Sequence, residues 1–465
     1  MSGLAAALNI GSTGLTTNQK GIEVVGNNVA NVNTPGYSKQ TLDLGATPTL
    51  QFNNQMISQG ATVKSISREG NRFVSEQLIE KQAAYGEENA KTIPLAELER
   101  VVSIDETSLA SDINDFFDSW QELSNNPSGG LQRQQVLQMG ADLANNFQGM
   151  SSDLQAVEDG INESLEGTVA DLNRQLQQIA DLNLQIVSAE ATGLSANALR
   201  DQRDQLLQEV SEVAGINSFE EANGMVSVQM PNGLPLVTGD NASSIATEWV
   251  SGSLQLNLTS GSTPTTLGSN AFGGEIHGLL DLRDHYIPSV QEDLDLLAYE
   301  LAEAVNGVHA GGVDTNGNPG SDFFTYSSIG SDPWDGAAAS IGLNLTSTSQ
   351  IAAGTVVAPN NLPGDNSNVL NMLALQDQPL INGNSSFSDF YGKIAADIGF
   401  ETNQNSLSLD SAEDALVQMQ NMRDATAGVS VDEEMLLLIQ YQTGYEAAAK
   451  YLATVDEMLD TLMQI

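Results

Sequence analysis

Apolar and small residues recur at steps of three and four near the start of the chain, the spacing of one face of an amphipathic helix. Polar Asn18 occupies one position of this row, whose other members are Leu4, Leu8, Gly11, Leu15, Ile22, Val25, Val29 and Val32. The alternation of fours and threes predicts a heptad seam on a helix about 45 Å long. Pro35 disfavours helical backbone at Thr34 and Gly36 permits a left-handed turn, so the helix should end in the Asn-rich segment before them.

The far end of the chain repeats this pattern. Apolar and small residues again step by fours and threes, at Tyr441, Tyr445, Ala448, Leu452, Val455, Leu459 and Leu462. Ser430 and Glu433 have the spacing of a capping box that would begin this helix just after Gly428. Two mirrored seams predict that the terminal helices pair with each other, whereas an ordinary surface helix with an apolar stripe is the alternative for each alone.

The interior of the chain predicts further helices. A three/four spacing that continues from Leu143 to Ile186 without a proline is typical of a long coiled-coil shaft within residues 131–190. Shorter apolar stripes predict helices over 196–213, 276–309 and 386–427.

Two other stretches have a different character. Residues 226–230 and 254–258 alternate apolar and polar side chains, as strands do, and turn residues separate the runs. Residues 311–365 are rich in Gly, Pro, Asn and Ser. We therefore predict a mainly α fold with β-rich insertions: long paired terminal coiled-coil helices, a helical shaft domain and a small outer β-rich region. The expected domains are a terminal axial domain (1–60 plus 425–465), a shaft domain (61–213 plus 276–310 plus 366–424) and a β-rich outer region (214–275 and 311–365).

Charge narrows the possible partners. The formal net charge is -44, from 16 Lys and Arg against 60 Asp and Glu, which disfavours nucleic acid and anionic membrane surfaces. Residues 1–50 are balanced, with Lys20 and Lys39 against Glu23 and Asp43. A neutral end can pack against further copies of itself, whereas the acidic middle should face solvent.

The segment that ends the first helix reads GNNVANVNTPGYSKQ, from Gly26 to Gln40. It resembles a motif near the N-terminus of the axial (rod and hook) proteins of the bacterial flagellum. The ending from Gly428 to Leu462 is similar to that of the hook-associated members, which join hook to filament. The resemblance implies a structural adaptor without catalysis or cofactor, exported and located outside the cell at the hook–filament junction. It also implies as partners the hook protein, the next hook-associated protein, further copies in a ring, and an export chaperone on residues 430–465.

The residues from Asn31 to Tyr37, called the tip below, are expected to make contacts along the axis. We expect the tip to touch a neighbouring subunit, although it could only cap its own helix. The hypothetical assembly interface comprises Leu8, Leu15, Ile22, Val25, Asn28, Val29, Asn31, Val32, Asn33, Pro35, Gly36, Tyr37, Tyr441, Tyr445, Leu452, Val455, Leu459 and Leu462.

Catalytic and metal motifs are weak by comparison. His277 and His285 lie eight residues apart, too far for a zinc pair on one helix turn. The segment from Asp314 to Asp322 begins like a calcium loop, but Pro319 replaces the glycine that an EF-hand requires, so we interpret it as a tight turn. Two alternatives stay open: another axial subunit, such as a distal rod or hook protein, and an extracellular calcium-dependent adhesin or hydrolase.

Overall fold

The computed structural model describes residues 2–47, 50–52, 55–57, 60–104, 108–260, 263–356 and 364–463. The chain forms two compact units. Unit 1 contains Met1–Gly86, Val169–Gly274 and Ser411–Ile465, and unit 2 contains Glu87–Thr168 and Glu275–Asp410. The three-domain division expected from the sequence uses other boundaries and stays a prediction.

Helices dominate the described residues, and short strands lie between them. The helices are α1 (Ser2–Ala30), α2 (Arg72–Val101), α3 (Leu109–Asn125), α4 (Gly130–Ala191), α5 (Asn197–Ala214), α6 (Gly274–Asp281), α7 (Ile287–Ala310), α8 (Ala337–Ser340), α9 (Ser367–Leu373), α10 (Phe387–Ala427) and α11 (Val431–Met463). The strands are β1 (Gln40–Ala46), β2 (Leu50–Phe52), β3 (Gln55–Ile57), β4 (Ala61–Arg68), β5 (Asn217–Glu220), β6 (Val226–Gln229), β7 (Pro235–Thr238), β8 (Asn241–Ala242), β9 (Ser244–Val250), β10 (Ser253–Ser260), β11 (Thr263–Leu267), β12 (Phe324–Thr325) and β13 (Gly342–Leu343).

The predicted long helices are confirmed. Helix α4 is continuous over 62 residues, because its apolar row keeps a three/four spacing and contains no proline. Helix α10 covers the stretch predicted from Ser386 onward. The helix expected over 276–309 is interrupted by a π-helical turn at Leu282–Tyr286, after which α7 continues with Pro288 in its first turn.

Unit 1 carries the terminal helices and most of the sheet structure. Strands β1 and β4 form an antiparallel pair directly after the tip, with a register shift between Asp43 and Leu44. A four-stranded sheet has the order β5-β6-β7-β8 and a three-stranded sheet has the order β11-β10-β9. Alternate residues of β10, namely Leu254, Leu256 and Leu258, are buried, which gives this sheet an apolar face.

Unit 2 is built around a cluster of aromatic side chains. Phe116, Phe117 and Trp120 on α3 pack against Phe323, Phe324, Phe387 and His309. The segment 311–365 differs from the β-rich expectation, since its described part holds two strands of two residues each, β12 and β13. Side chains satisfy much of its backbone instead; for example, Asn306 Oδ1 accepts the N–H groups of Phe323 and Phe324.

Candidate assembly interface

The terminal helices α1 and α11 pack against each other within unit 1, which confirms the predicted pairing of the chain ends. A Cβ atom placed on Gly11 would lie 2.6 Å from Leu452 Cγ, and one on Gly21 would lie 2.5 Å from Tyr441 Cδ1. The partner numbers fall along α11 as they rise along α1, so the pair is antiparallel. The two helices approach so closely because glycine leaves room for the large side chains opposite.

The contacts repeat every seven residues on both helices. Three pairs have this spacing: Gly14 with Ala448, Gly21 with Tyr441, and Asn28 with Glu434. The row of α1 that faces α11 therefore runs through small and polar residues. Leu15, Ile22 and Val29, predicted to lie in this row, are each displaced by one position and are half-buried.

The predicted interface residues fall into three burial classes. Val25, Asn28 and Val455 are buried. The exposed members are Asn33, Pro35 and Tyr445. The half-buried members are Leu8, Leu15, Ile22, Val29, Asn31, Val32, Gly36, Tyr37, Tyr441, Leu452 and Leu459. Leu462 is part of α11, but its side chain lies outside the described residues.

Asn28 links the tip, the start of β1 and α11 through four hydrogen bonds. Its Oδ1 accepts the Tyr37 hydroxyl at 2.8 Å and the Gln40 N–H at 3.0 Å. Its Nδ2 donates to Gln40 O and to Glu434 Oε2, both at 2.9 Å. Asn28 is 1% exposed and Glu434 is 0% exposed, so these bonds satisfy polar groups that water does not reach.

Further bonds anchor the tip to its own chain. Arg423, near the end of α10, donates from Nη2 to Gly36 O at 2.6 Å and to Tyr37 O at 3.1 Å. The backbone N–H of Lys39 donates to Ala427 O at 2.7 Å, and that of Ser38 donates to Asp201 Oδ2 at 3.2 Å. The end of the tip and the residues just after it are thus held by α10 and α5 of the same chain. The contact of the tip with another subunit stays a prediction.

Near Asn28, one lysine pairs with two carboxylates. Lys39 Nζ lies 3.0 Å from Glu433 Oε2 and 3.4 Å from Glu434 Oε1. Burial opposes the charge of Lys39, but its hydrogen bond to Glu433 and the charge of Glu434 outweigh this and raise its pKa. Burial, with the charges of Asp201 and Glu434, raises the pKa of Tyr37 to about 12. At neutral pH the Tyr37 hydroxyl is therefore protonated and donates to Asn28.

Sequence reasoning did not identify Glu434 or Arg423. Glu434 lies seven residues before Tyr441, so extending the heptad by one repeat places it on the seam. No comparable signal marks Arg423, because its partners are backbone carbonyls that carry no sequence signature.

Two surfaces beside the seam are open. Residues 31–37, with residues between 423 and 433, line a mostly polar concavity of 490 Å³. On α11, a set of apolar side chains is exposed: Val431, Met435, Leu436, Ile439 and Met458. Leu436 is 70% exposed and Ile439 is 56% exposed. A helix that is apolar on its outer side as well as on its seam has the pattern of a surface that another molecule covers.

The candidate calcium loop uses its carboxylate internally. Asp314 Oδ1 accepts the N–H groups of Asn316 and Asn318, both at 2.8 Å. Asp314 Oδ2 accepts the side-chain amides of the same two residues. The oxygens are thus engaged by the turn itself, as expected for a tight Asx-type turn.

The described residues contain no group of three or more His, Cys, Asp and Glu side chains that could hold a metal ion. Nor does any helix in the described ranges combine the length and apolar character that crossing a membrane requires. His277 pairs with Glu87 at 3.0 Å, and His285, 66% exposed at its side chain, lies 3.3 Å from Asp281.

Family models match both ends of the chain and its middle. Residues 8–37 match the model described as flagella basal body rod protein, and residues 423–465 match that of the flagellar basal body rod FlgEFG protein C-terminal region. These are the segments that form α1, the tip and α11. The paired ends and the motif between them therefore define a flagellar axial protein. Residues 95–324 match the helical domain of the flagellar hook-associated protein FlgK.

Full-length relatives give the particular family. The flagellar hook-associated protein 1 of Bacillus subtilis is 30% identical, with 97% of this chain and 96% of that protein covered. The protein of the same name from Escherichia coli is 25% identical over 99% of this chain and its own full length. The structure of the flagellar hook junction protein FlgK from Burkholderia pseudomallei matches in fold, with a TM-score of 0.68 at 17% identity, covering 76% of this chain and 100% of that one. The chain belongs to the flagellar hook-associated protein 1 family, and it is a structural component of the bacterial flagellum at the hook–filament junction.

Proposed function

We propose that this chain joins hook to filament by packing the outer side of its terminal helix pair against neighbouring subunits. The observation that carries the proposal is the apolar set on α11, represented by Leu436 and Ile439, which the chain's own α1 leaves uncovered. Burying such side chains contributes about 1.5–3 kcal/mol each. The balanced charge of residues 1–50 means that α1 adds no net charge repulsion to such a contact.

The tip supplies the contact along the axis in this proposal. Asn33, Thr34 and Pro35 are exposed, and the bonds from Arg423 and Asn28 hold the ends of the segment that carries them. A preorganised polar surface of this kind can bind without first losing conformational entropy. The partners are the hook protein on one side, the next hook-associated protein on the other, and further copies of this chain within the ring.

Helix α11 also serves export in this proposal. Before assembly the exposed apolar side chains of residues 430–465 would be a hazard for aggregation, and an export chaperone that binds this helix would cover them. The mature protein then acts outside the cell, as a structural adaptor without catalysis.

We further propose that residues 214–275 and 311–365 form the outward, solvent-facing part of the molecule. Limited proteolysis of the purified chain should cleave these segments before it cleaves residues 131–190. Earlier cleavage within 131–190 would contradict this arrangement.

Complementation of cells that lack this chain tests the assembly proposal. Leu436→Asp places a charge in the α11 surface, and Leu194→Asp is the matched control, because Leu194 is also an exposed leucine of unit 1, at 66%. Electron microscopy should show hooks without filaments for Leu436→Asp and normal filaments for Leu194→Asp. Equal amounts of secreted protein must accompany this result. Normal filaments with Leu436→Asp would overturn the proposed role of this surface.

A further inference from the structure

We propose that Asn28 is a positioning residue that makes the conformation of the tip depend on the pairing of α11 with α1. This inference uses contacts within one chain and does not rest on the proposed assembly contacts. It gives the buried amide a role that the heptad seam alone does not require.

The two halves of the Asn28 amide face different parts of the molecule. Its oxygen holds the tip end, through the Tyr37 hydroxyl and the Gln40 N–H. Its nitrogen donates to Gln40 O and also reaches α11, through Glu434 Oε2, both at 2.9 Å. One rigid planar group thus connects the base of the tip to a helix that lies 406 residues away in sequence.

Burial makes the Asn28 amide depend on its protein partners for hydrogen bonds. Asn28 and Glu434 are both within 1% of complete burial, so water cannot replace a lost partner. Without Glu434, a donor of Asn28 is left unpaired, and such a group costs much more than the net value of an ordinary hydrogen bond. Rotation of the amide toward another acceptor relieves that cost, but it withdraws Oδ1 from Tyr37 and Gln40. The tip then loses the bonds that close its base.

A second anchor provides the competing explanation. Arg423 belongs to α10 and holds Gly36 O and Tyr37 O without any contribution from α11. If Arg423 alone fixes the tip, loss of the Asn28–Glu434 hydrogen bond in Asn28→Asp should leave the tip unaffected, and the double variant Asn28→Asp with Glu434→Gln should exchange no more slowly than Asn28→Asp. The two explanations therefore predict different responses to the same substitution.

Hydrogen exchange of residues 31–40 in the full-length chain, followed by mass spectrometry, tests the inference. Asn28→Asp keeps an oxygen for the Tyr37 hydroxyl and the Gln40 N–H but removes the donor to Glu434 and to Gln40 O, and it should raise the exchange rate of this segment about tenfold or more. Glu434→Gln keeps an acceptor for Asn28 and should change the rate by less than about threefold. Glu433→Gln is the control, because the Glu433 side chain is 67% exposed and pairs with Lys39 instead of Asn28.

The double variant Asn28→Asp with Glu434→Gln reverses donor and acceptor across the same contact. The amide introduced on α11 can then donate to the carboxylate introduced on α1, so exchange of residues 31–40 should fall clearly below the rate of Asn28→Asp, although the bond to Gln40 O stays lost. Recovery of this kind is not expected from a merely space-filling role. Exchange in α5 serves as the measure of global unfolding and should stay constant in all variants.

Three results would overturn the proposal. The first is unchanged exchange of residues 31–40 in Asn28→Asp. The second is a double variant that exchanges as fast as Asn28→Asp alone. The third is an unaltered chain in which the Gln40 amide shows no protection.

Discussion

The aromatic cluster of unit 2 and the terminal helix pair of unit 1 bury their apolar residues to very different degrees. In the cluster, Phe116, Phe117 and Trp120 are all 0% exposed, and their contacts come from the same unit. In the helix pair, glycines of α1 face Leu452 and Tyr441 of α11 beside one buried polar contact, while other apolar side chains of α11 remain exposed.

This difference separates a region whose apolar residues are buried by its own unit from a region whose outer apolar residues stay exposed. A core such as that of unit 2 obtains its stability from dense packing and tolerates no loss of volume. The helix pair instead uses glycine to bring two helices close together, and it leaves apolar surface available for an assembly. Under the proposed function, stability and assembly depend on different parts of the chain, and substitutions can test each separately.

The largest effect is expected in the aromatic cluster. Trp120→Ala removes a fully buried ring that contacts Phe116, Phe323 and His309, and it should lower the free energy of unfolding by about 3–5 kcal/mol. Urea unfolding, followed by Trp334 fluorescence in a Trp249→Phe background, measures this change. Leu131→Ala, at an exposed position of unit 2, should change the same quantity by less than about 0.5 kcal/mol. Similar effects of the two substitutions would contradict the comparison.

In the helix pair, the effect of replacing a glycine of α1 by alanine should depend on the atoms that the added Cβ would meet. Gly21→Ala places a Cβ 2.5 Å from the Tyr441 ring, and overpacking of this kind costs about 1–3 kcal/mol. Gly26 lies in the same helix with nothing within 4 Å of an added Cβ, so Gly26→Ala should stabilise α1 by about 0.5–1 kcal/mol. Hydrogen exchange of α1 amides should therefore become faster in the first variant and slower in the second. If both variants slow exchange, the close approach at Gly21 does not constrain the pair.

Regular spacing explains what could be predicted from the sequence. The apolar row of α4 and the two terminal heptads identify helices that the structure contains, because burial on one helix face imposes a period near 3.6 residues. The facing residues of the seam were harder to predict, because a row of glycines is not apolar enough to mark the inner side. The inward position of Asn28 and the bonds of Arg423 depend on contacts between distant segments, for which local pattern holds no information. The β1–β4 pair was missed for a similar reason, since its residues are mostly half-buried or exposed.

Acidification should weaken unit 2 through His309. Its Nε2 accepts the Ala352 N–H at 3.0 Å and its Nδ1 bonds to Ser321 O, so the folded state holds the neutral ring. Burial lowers the His309 pKa, whereas the unfolded chain takes up this proton near pH 6.5. Because the unfolded state then binds more protons, stability falls as pH drops below that value, by up to about 1.4 kcal/mol per pH unit.

A variant comparison isolates this contribution. His309→Gln should be less stable than the unaltered chain at pH 7, and the gap should narrow by about 1 kcal/mol between pH 6.5 and 5.5. His277, whose pKa is raised chiefly by its hydrogen bond to Glu87, changes stability in the opposite sense, but it is present in both chains and cancels. A His309→Gln gap that does not change with pH would show that the folded state accommodates the charged ring.

The smallest effect on the free energy of unfolding is expected for an exposed residue of α11 whose substitution should weaken assembly strongly. Ile439→Ser alters a residue of α11 that is 56% exposed, so the free energy of unfolding should change by less than about 0.5 kcal/mol. If neighbouring subunits bury this side chain, the same substitution removes about 1.5–3 kcal/mol from each contact. Sedimentation with isolated hooks should then require about tenfold more protein for equal binding. Trp120→Ala should show the converse, a large loss of stability with the terminal surface intact. If Ile439→Ser instead destabilises the free chain and binds hooks normally, the outer side of α11 belongs to the fold of the single chain, and the contrast between the two regions fails.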